Sequence, residues 1–187
     1  MLAAPLQPGK RISRAETDAT MFDGGMEIRT CSERDLELLR EEWPTPDDIA
    51  GAHYAQQQSN TATFLVAWEA NGPLGWALIQ WRGCVGANAK TAFPDCIEVN
   101  HLQVRPEHRG RGAGTAILTT AEEQARDRGI TQLAVSVTAE NTAAARLYRR
   151  LGYQPTGVVD VCSYRWRDDQ GSWHDETESS ELLVKEL

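Results

Sequence analysis

A glycine-rich turn that carries two arginines, at residues 109–115, is the stretch of this chain best suited to chemistry. The run before it, residues 95–104, has the composition of a strand, and residues 115–128 have apolar side chains at helical spacing. Glycines let backbone N–H groups converge, and a helix N-terminus adds unpaired donors and a partial positive charge. Arg109 and Arg111 add charge-assisted hydrogen bonds. The turn is predicted to bind a pyrophosphate.

Two familiar phosphate-binding motifs do not fit this turn. A Walker A loop ends in Gly-Lys-Ser/Thr, and the chain has no lysine between Lys90 and Lys185. A Rossmann fingerprint needs GxGxxG and an acidic residue about 20 positions later. Here the third glycine comes one position early, and Gly-Ile-Thr at residues 129–131 replaces the acid. Nucleotide binding is therefore the least favoured reading of the turn.

A second motif lies downstream, Asn141-x-x-Ala144-x-x-Leu147-Tyr148-x-x-x-Gly152-Tyr153. Together with Arg109-x-x-Gly112-x-Gly114, it resembles the paired signatures of the GCN5-related N-acetyltransferase (GNAT) family. The resemblance is strong over about residues 95–157, whereas residues 26–81 match only in the order of their elements. It implies the acyl-CoA N-acyltransferase fold of that family, an α+β fold with a mixed central β-sheet flanked by helices.

The resemblance also implies where acetyl-CoA, the expected cosubstrate, binds. Backbone groups of the strand before the turn would hold the pantetheine arm, and the turn itself would hold the pyrophosphate. Asn141 would contact the cofactor arm, although an asparagine at a helix start also serves as a cap. The implied binding residues are Leu102, Gln103, Val104, Arg109, Gly110, Arg111, Gly112, Ala113, Gly114, Thr115 and Asn141.

The implied reaction is attack of a neutral primary amine on the thioester, giving a tetrahedral intermediate that expels a thiolate. It needs an oxyanion donor, a proton acceptor and a proton donor. By resemblance, a backbone amide near Leu102 is the oxyanion donor and Tyr148 is the acid. A phenol, with an ordinary pKa of ~10, can donate to a thiolate whose conjugate acid has a pKa of ~8.5. Tyr148 also fits the apolar stripe of its helix, so a packing role stays open.

The proton acceptor is predicted to be Glu98, close to where the family often carries a glutamate. Asn100 shares its face of the strand but cannot accept a proton at neutral pH. A solvated carboxylate is the alternative reading of Glu98. His101 would point to the opposite face of a regular strand, and His108 lies in the phosphate turn, so both are weaker candidates.

Composition excludes several classes of protein. The chain has 187 residues, 41% of them hydrophobic, which predicts one globular domain. A net charge of −8 opposes binding to nucleic acid. Apolar runs of a few residues fall far short of the ~20 needed to cross a bilayer, so no membrane partner and a cytoplasmic location are expected. Four cysteines without a CxxC pair predict reduced thiols and no metal site, and Cys96 lacks a neighbour that would activate it.

The remaining pattern sets the expected elements. Residues 1–25 lack an apolar period and are predicted to be a poorly ordered leader before a single domain at residues 26–187. Residues 83–94 are predicted to be a loop. Strands are expected over residues 26–30, 61–69, 74–82, 95–104, 133–137, 153–166 and 178–185, and helices over 33–42, 47–58, 115–128 and about 144–151.

The acceptor is the least defined part of the prediction. Trp43, Trp68, Trp76 and Trp81, with Asp47, Asp48 and the acidic C-terminal end, would suit a cationic amine, but tryptophans in strands usually belong to a core. Small amines, aminoglycosides, amino acids and protein N-termini all stay open, as does a homodimer. A catalytically silent acyl-CoA binding or sensing module is the alternative function.

Overall fold

The computed structural model describes residues 19–22, 25–167 and 171–187. The strands are β1 (Ala19–Phe22), β2 (Met26–Thr30), β3 (Ala62–Glu69), β4 (Gly72–Gln80), β5 (Ile97–Val104), β6 (Gln132–Thr138), β7 (Gln154–Arg167) and β8 (Trp173–Glu186). The helices are α1 (Glu33–Glu42), α2 (Ile49–Gln58), α3 (Ala87–Ala92), α4 (Ala113–Asp127) and α5 (Thr142–Arg150), with 3-10 turns at Pro46–Asp48 and Pro106–His108. Within the described residues, the strands form one mixed sheet in the order β1-β2-β3-β4-β5-β6-β8-β7.

Helices cover both faces of this sheet. On one side, here called the α4 face, α4 and α5 pack on a core that includes Ile97, Val99 and Leu133. On the other side, here called the α2 face, α1 and α2 pack on the first half of the sheet around Phe64. The loop that contains α3 covers the α2 face in the second half. The predicted α+β fold with a mixed sheet flanked by helices is confirmed.

The first two helices begin where side chains satisfy their free N–H groups. Ser32 and Asp35 form a reciprocal capping box at the start of α1, which begins and ends as predicted. The helix predicted from residue 47 begins instead at Ile49. Asp47 and Asp48 take left-handed φ values of 55° and 51°, and the Asp48 side chain accepts from the N–H of Gly51 at 3.2 Å.

Three other elements differ from the sequence predictions. Residues 19–22 lie in the expected leader but form β1, because they pair antiparallel with β2; residues 1–18 lie outside the described residues. The expected loop at residues 83–94 contains α3, whose N–H groups at Asn88 and Ala89 bond to the Asp160 carboxylate at 2.9 Å each. β8 begins at Trp173 rather than near residue 178, because it pairs along the whole of β7. The contacts of α3 with Asp160 join residues more than 70 positions apart.

The parallel strands β5 and β6 pair through only three residues of each strand, at Ile97↔Leu133, Glu98↔Ala134 and Val99↔Val135. Beyond that point β6 stays with β8, and β5 stays with β4 as far as Val104↔Gly75. The two strands therefore separate after Val99 and open a cleft. Within the described residues, the β6-side edge of β5 has no strand partner from residue 100 onward.

A bulge in β5 lies at the mouth of this cleft. Leu78 pairs with Asn100 and Trp76 pairs with Gln103, so three steps along β5 oppose two along β4. The extra residue is accommodated at His101, which has a left-handed φ of 50°. Side chains consequently stop alternating at this point of the strand.

Candidate active site

The glycine turn leads into α4 with its backbone donors uncovered. Gly112 is the N-cap, has a φ of 94° and offers no side-chain cap, and Gly110 has a φ of 75°. A Cβ at either position would meet no other atom within 4 Å, so the space beside both glycines is open. The helix begins at Ala113 rather than at the predicted Thr115, and residues 113–115 therefore form its first turn. Open N–H groups at a helix N-terminus suit an anion.

Gly114 has a different reason to be glycine. A Cβ there would lie 3.1 Å from the Leu147 Cδ2 and 3.8 Å from the Val104 Cγ2. The missing side chain lets α4, α5 and β5 approach each other below the turn. Ala113 is buried in the same region, whereas the Thr115 hydroxyl lies 3.5 Å from the Arg150 guanidinium. These contacts fix the direction in which α4 leaves the sheet.

The two arginines of the turn are held by other parts of the chain. Arg111 donates to both carboxylate oxygens of Glu69 at 2.8 Å and lies 3.1 Å from the Nδ1 of His108. The Nε of Arg109 donates to the carbonyl oxygen of Val104 at 3.2 Å, at the end of β5. A phosphate at the turn would therefore compete with Glu69 for the Arg111 guanidinium.

α5 presents the second motif to the cleft side of the sheet. The Asn141 side chain caps this helix by accepting from the N–H of Ala144 at 3.1 Å. Tyr148, one turn further along, packs in the α4-face core and is 5% exposed. Burial, and then the Glu98 carboxylate, raise the pKa of Tyr148 to about 12, so the phenol is protonated at neutral pH. Its hydroxyl makes no hydrogen bond to another described residue.

Glu98 is buried, at 3% exposure, and both of its carboxylate oxygens accept hydrogen bonds. One accepts from the Ser136 hydroxyl at 2.8 Å, and the other from the backbone N–H of Val85 at 2.7 Å. The alternative of a solvated strand carboxylate is therefore wrong. The side chain joins β5 to β6 and to the loop that contains α3, and its role as the base stays a prediction.

The bulge changes the expected orientation of His101. Val99 and Leu102 both pack in the α4-face core, so the two residues between them cannot alternate. Asn100 pairs with Leu78 of the α2-face core, and the His101 ring contacts His53 of α2. The prediction that His101 points away from Asn100 is therefore wrong, because it assumed a regular strand. Sequence reasoning also missed His53, because a single histidine in a short helix belongs to no recognisable motif. Its side chain is 3% exposed.

The tryptophans do not line an open cleft for a cation. Trp68 and Trp76 are buried in the α2-face core, and Trp43 stacks on Trp76 with ring centroids 3.9 Å apart. Trp81 is covered by the Arg128 guanidinium at 3.6 Å. The Asp48 carboxylate is bound by Arg40, so it too is occupied by a residue of the chain. The expected amine site is therefore not formed by these tryptophans and Asp48, whereas the roles of Asp47 and of the acidic C-terminal end stay predictions.

Cys96 is fully buried beneath the loop that contains α3. A hydrogen bond with the Cys84 thiol, and then burial, raise the pKa of Cys96 above its ordinary value. A protonated and enclosed thiol is a poor nucleophile.

A separate groove of about 430 Å³ lies between the outer side of α5 and the β7–β8 hairpin. Its lining includes Thr142, Arg146, Arg149 and Glu181, and none of the predicted site residues. The predicted residues lie instead on the glycine turn, β5 and α5, which border the separation between β5 and β6.

Comparison with known proteins agrees with this geometry. Residues 28–153 match the family model described as the acetyltransferase (GNAT) family. The chain belongs to the GNAT family. The resemblance expected from the two motifs is thereby confirmed.

Two curated relatives with named substrates are 30% identical to this GNAT chain. One is the streptothricin acetyltransferase of Streptomyces lavendulae, matched over 129 residues, which are 67% of this chain and 63% of that protein. The other is the L-methionine sulfoximine/L-methionine sulfone acetyltransferase of Pseudomonas aeruginosa, matched over 137 residues, which are 71% and 73%. The chain thus spans less than two thirds of the streptothricin enzyme.

Solved structures support the same fold. An N-acetyltransferase from Staphylococcus aureus Mu50 superposes with a TM-score of 0.62 at 18% identity, over 86% of this chain and 98% of that one. A phosphinothricin acetyltransferase from Sinorhizobium meliloti, in complex with AcCoA, superposes with a TM-score of 0.58 at 21% identity, over 87% and 89%. Within the described residues, no helix has the length and apolarity to traverse a bilayer.

Proposed function

We propose that this chain is an acetyl-CoA-dependent N-acetyltransferase that moves the acetyl group to a primary amine by direct attack, through a tetrahedral intermediate. The observation that carries the proposal is the separation of β5 from β6 directly before a glycine turn with uncovered helix donors. The separation leaves a strand edge free for a pantetheine arm, and the turn leaves N–H groups free for a pyrophosphate. Membership of the GNAT family supports the same chemistry.

Acetyl-CoA would supply the activated acetyl thioester. The backbone of Leu102, Gln103 and Val104 would bind the pantetheine arm, because this part of β5 is unpaired on the β6 side. The first turn of α4 and the glycines at 110 and 112 would bind the pyrophosphate, with Arg109 and Arg111 beside it. The open space at both glycines fits such a group, since a side chain there would enter the same volume.

The chain's own groups would then handle charge and protons. The Leu102 amide, which lies at the bulge where the strands separate, would be the donor to the oxyanion. Tyr148 would donate a proton to the departing sulfur. Its raised pKa keeps the proton on the phenol until the thiolate forms, so proton transfer would accompany C–S cleavage. The enclosed thiol of Cys96 supports direct attack rather than an acetylated enzyme.

A small-molecule amine is the acceptor we favour. Two relatives at 30% identity are named for acetylating small molecules, streptothricin and L-methionine sulfoximine or sulfone. We do not favour the alternative of a catalytically silent acyl-CoA module. Tyr148, the proposed proton donor, is present and packs in the α4-face core beside the cleft.

The test is turnover of a small-amine panel with acetyl-CoA, measured as free thiol released, together with the intact mass after incubation with acetyl-CoA alone. We expect thiol release with at least one amine and an unchanged mass without amine. Binding of acetyl-CoA with no release across the panel would favour the silent module. An acetyl group on Cys96 that a later amine removes would contradict direct attack.

A further inference from the structure

Two histidines that this reaction scheme does not use meet at the β5 bulge. The rings of His101 and His53 lie 4.7 Å apart, centroid to centroid, at an interplanar angle of 53°. His53 comes from α2 and also packs edge-on against Phe64, at 5.3 Å and 70°. His101 is exposed, whereas His53 is 3% exposed. The pair therefore joins the surface beside the cleft to the interior of the α2 face.

The backbone at His101 has an uncommon conformation for its position. A left-handed φ of 50° inside a strand is rare for a residue other than glycine, and such residues concentrate at functional sites. The conformation directs the imidazole to the α2 face, next to the Leu102 amide on the same bulge. A group that handles protons at this point would lie one residue from the proposed oxyanion donor.

His53 supplies an independent observation. Both of its ring nitrogens are buried and have no hydrogen-bond partner among the described residues, and the same holds for the Oδ1 of Asn100. Buried polar atoms are nearly always hydrogen-bonded in folded proteins. His53 therefore places an unpaired polar ring directly behind the exposed His101 imidazole.

His101 is also better suited than Glu98 to accept a proton. Both Glu98 oxygens already accept hydrogen bonds, whereas the His101 ring makes none to another described residue. Although one side of the ring is exposed, the atoms packed around the rest lower the pKa of His101 from its ordinary value. The imidazole is consequently neutral at neutral pH and has a free lone pair.

We propose that His101 accepts the proton that the acceptor amine loses during attack, and that His53 is a positioning residue for the His101 ring. The inference rests on the proposed acetyl transfer. The amine nitrogen forms a bond to the acetyl carbon, and the C–S bond breaks with its electron pair on sulfur. The proton from nitrogen goes to the His101 imidazole, and the proton for sulfur comes from Tyr148.

The first test replaces His101 by asparagine, which tolerates a left-handed φ but cannot accept a proton. For His101→Asn we expect kcat to fall by roughly 10²–10⁴ with the Kd for acetyl-CoA unchanged. The acidic limb of the kcat/KM pH profile should disappear with the imidazole. His174→Asn, on the exposed arm of β8, is the matched control and should behave like the wild type.

The second test replaces His53 by leucine, which removes both buried nitrogens and keeps an apolar side chain. We expect kcat to fall by roughly tenfold or more while the thermal midpoint at neutral pH and the acetyl-CoA Kd hold. A residue that only packs would give a fully active leucine variant. Because the proposal moves proton acceptance from Glu98 to His101, Glu98→Gln should lose less kcat per folded molecule than His101→Asn.

The outcomes separate the two proposals. No turnover by the wild type overturns the proposed function and this inference with it. Full activity of a folded His101→Asn variant beside an active wild type overturns only the role of His101. A loss of kcat in Glu98→Gln but not in His101→Asn would mean that the Glu98 carboxylate accepts the proton instead.

Discussion

On its α4 face, β5 presents Ile97, Val99 and Leu102 to an apolar core, whereas on its α2 face it presents Glu98, Asn100 and His101. The apolar side chains fix the strand against α4 and α5. Glu98 is buried and Asn100 is partly buried, so both polar groups lie where apolar side chains would pack, whereas His101 is exposed. Burying a polar group in place of an apolar one costs stability unless the group is hydrogen-bonded.

The contrast separates binding from proton transfer. On the α4 face the proposed function uses backbone groups of the strand and the helix N-terminus, while the side chains mostly pack. Tyr148 is the exception, because its ring packs on this face and its hydroxyl has no partner among the described residues. On the α2 face, the side chains themselves carry the proposed chemistry. Mutations should therefore have different signatures on the two faces.

The largest effect is expected from Tyr148→Phe. The ring still packs on the α4 face, but the proton donor is lost, so kcat should fall by roughly 10²–10⁴ while stability and the acetyl-CoA Kd hold. Steady-state kinetics and calorimetry measure both. The control is Tyr153→Phe, which removes the hydrogen bond to the Glu122 carboxylate at 3.2 Å. That variant should lose about 1–3 kcal/mol of stability and keep kcat. Full turnover by Tyr148→Phe would make Tyr148 a packing residue only.

The next effect concerns acid stability and the α2 face. Burial, and then the nearby His101, lower the pKa of His53 from 6.5 to about 4. The unfolded chain therefore binds a proton before the folded one, and stability present above pH 6.5 is lost as the pH falls from 6.5 to 4. The loss should be about 3 kcal/mol, since each pKa unit corresponds to roughly 1.4 kcal/mol.

Urea unfolding between pH 7.5 and 4 measures this loss. His53→Leu should remove its share of the pH dependence. An equal acid loss in wild type and His53→Leu would mean that His53 titrates normally in the folded protein.

A smaller effect is expected from Gly112→Asp at the start of α4. A side chain and a negative charge would enter the open space beside the helix donors, so the acetyl-CoA Kd should rise at least tenfold, or ~1.4 kcal/mol. Isothermal titration measures this. Gly129→Asp is the matched control, because Gly129 has a φ of 73°, no atom within 4 Å of a Cβ, and lies past the other end of α4. Equal Kd values for the two variants would contradict phosphate binding at the turn.

Sequence patterns predicted the α4 face better than the α2 face. The apolar spacing of α4 and α5 and the Asn141 cap are local features, and local features determined these elements. The bulge at His101 was not predictable, because an extra residue in one strand is defined only by its partner β4. His53 was missed for a similar reason, since α2 meets β5 only through the tertiary fold.

Burial was the other property that sequence could not supply. Glu98 looked equally like a base and a solvated carboxylate, and only its bonds to Ser136 and Val85 exclude the second reading. The role of Arg111 likewise depended on Glu69, 42 positions away. Residue types suggested the chemistry, but the fold determined which charges were already paired.

The smallest effect is expected from Glu69→Gln. This variant tests whether the ion pair between Glu69 and Arg111 lowers the affinity for acetyl-CoA. Arg111 is 48% exposed and Glu69 18% exposed, so the pair contributes only about 0.2–1 kcal/mol. Neutralising Glu69 frees the Arg111 guanidinium and removes a negative charge beside the phosphate turn. The acetyl-CoA Kd should therefore fall by about two- to fivefold at low salt, and the gain should shrink as salt screens the charges. Arg111→Gln should weaken binding instead. A weaker affinity in Glu69→Gln would mean that the carboxylate holds Arg111 in its binding position, and the ion pair would then belong to the phosphate site rather than compete with it.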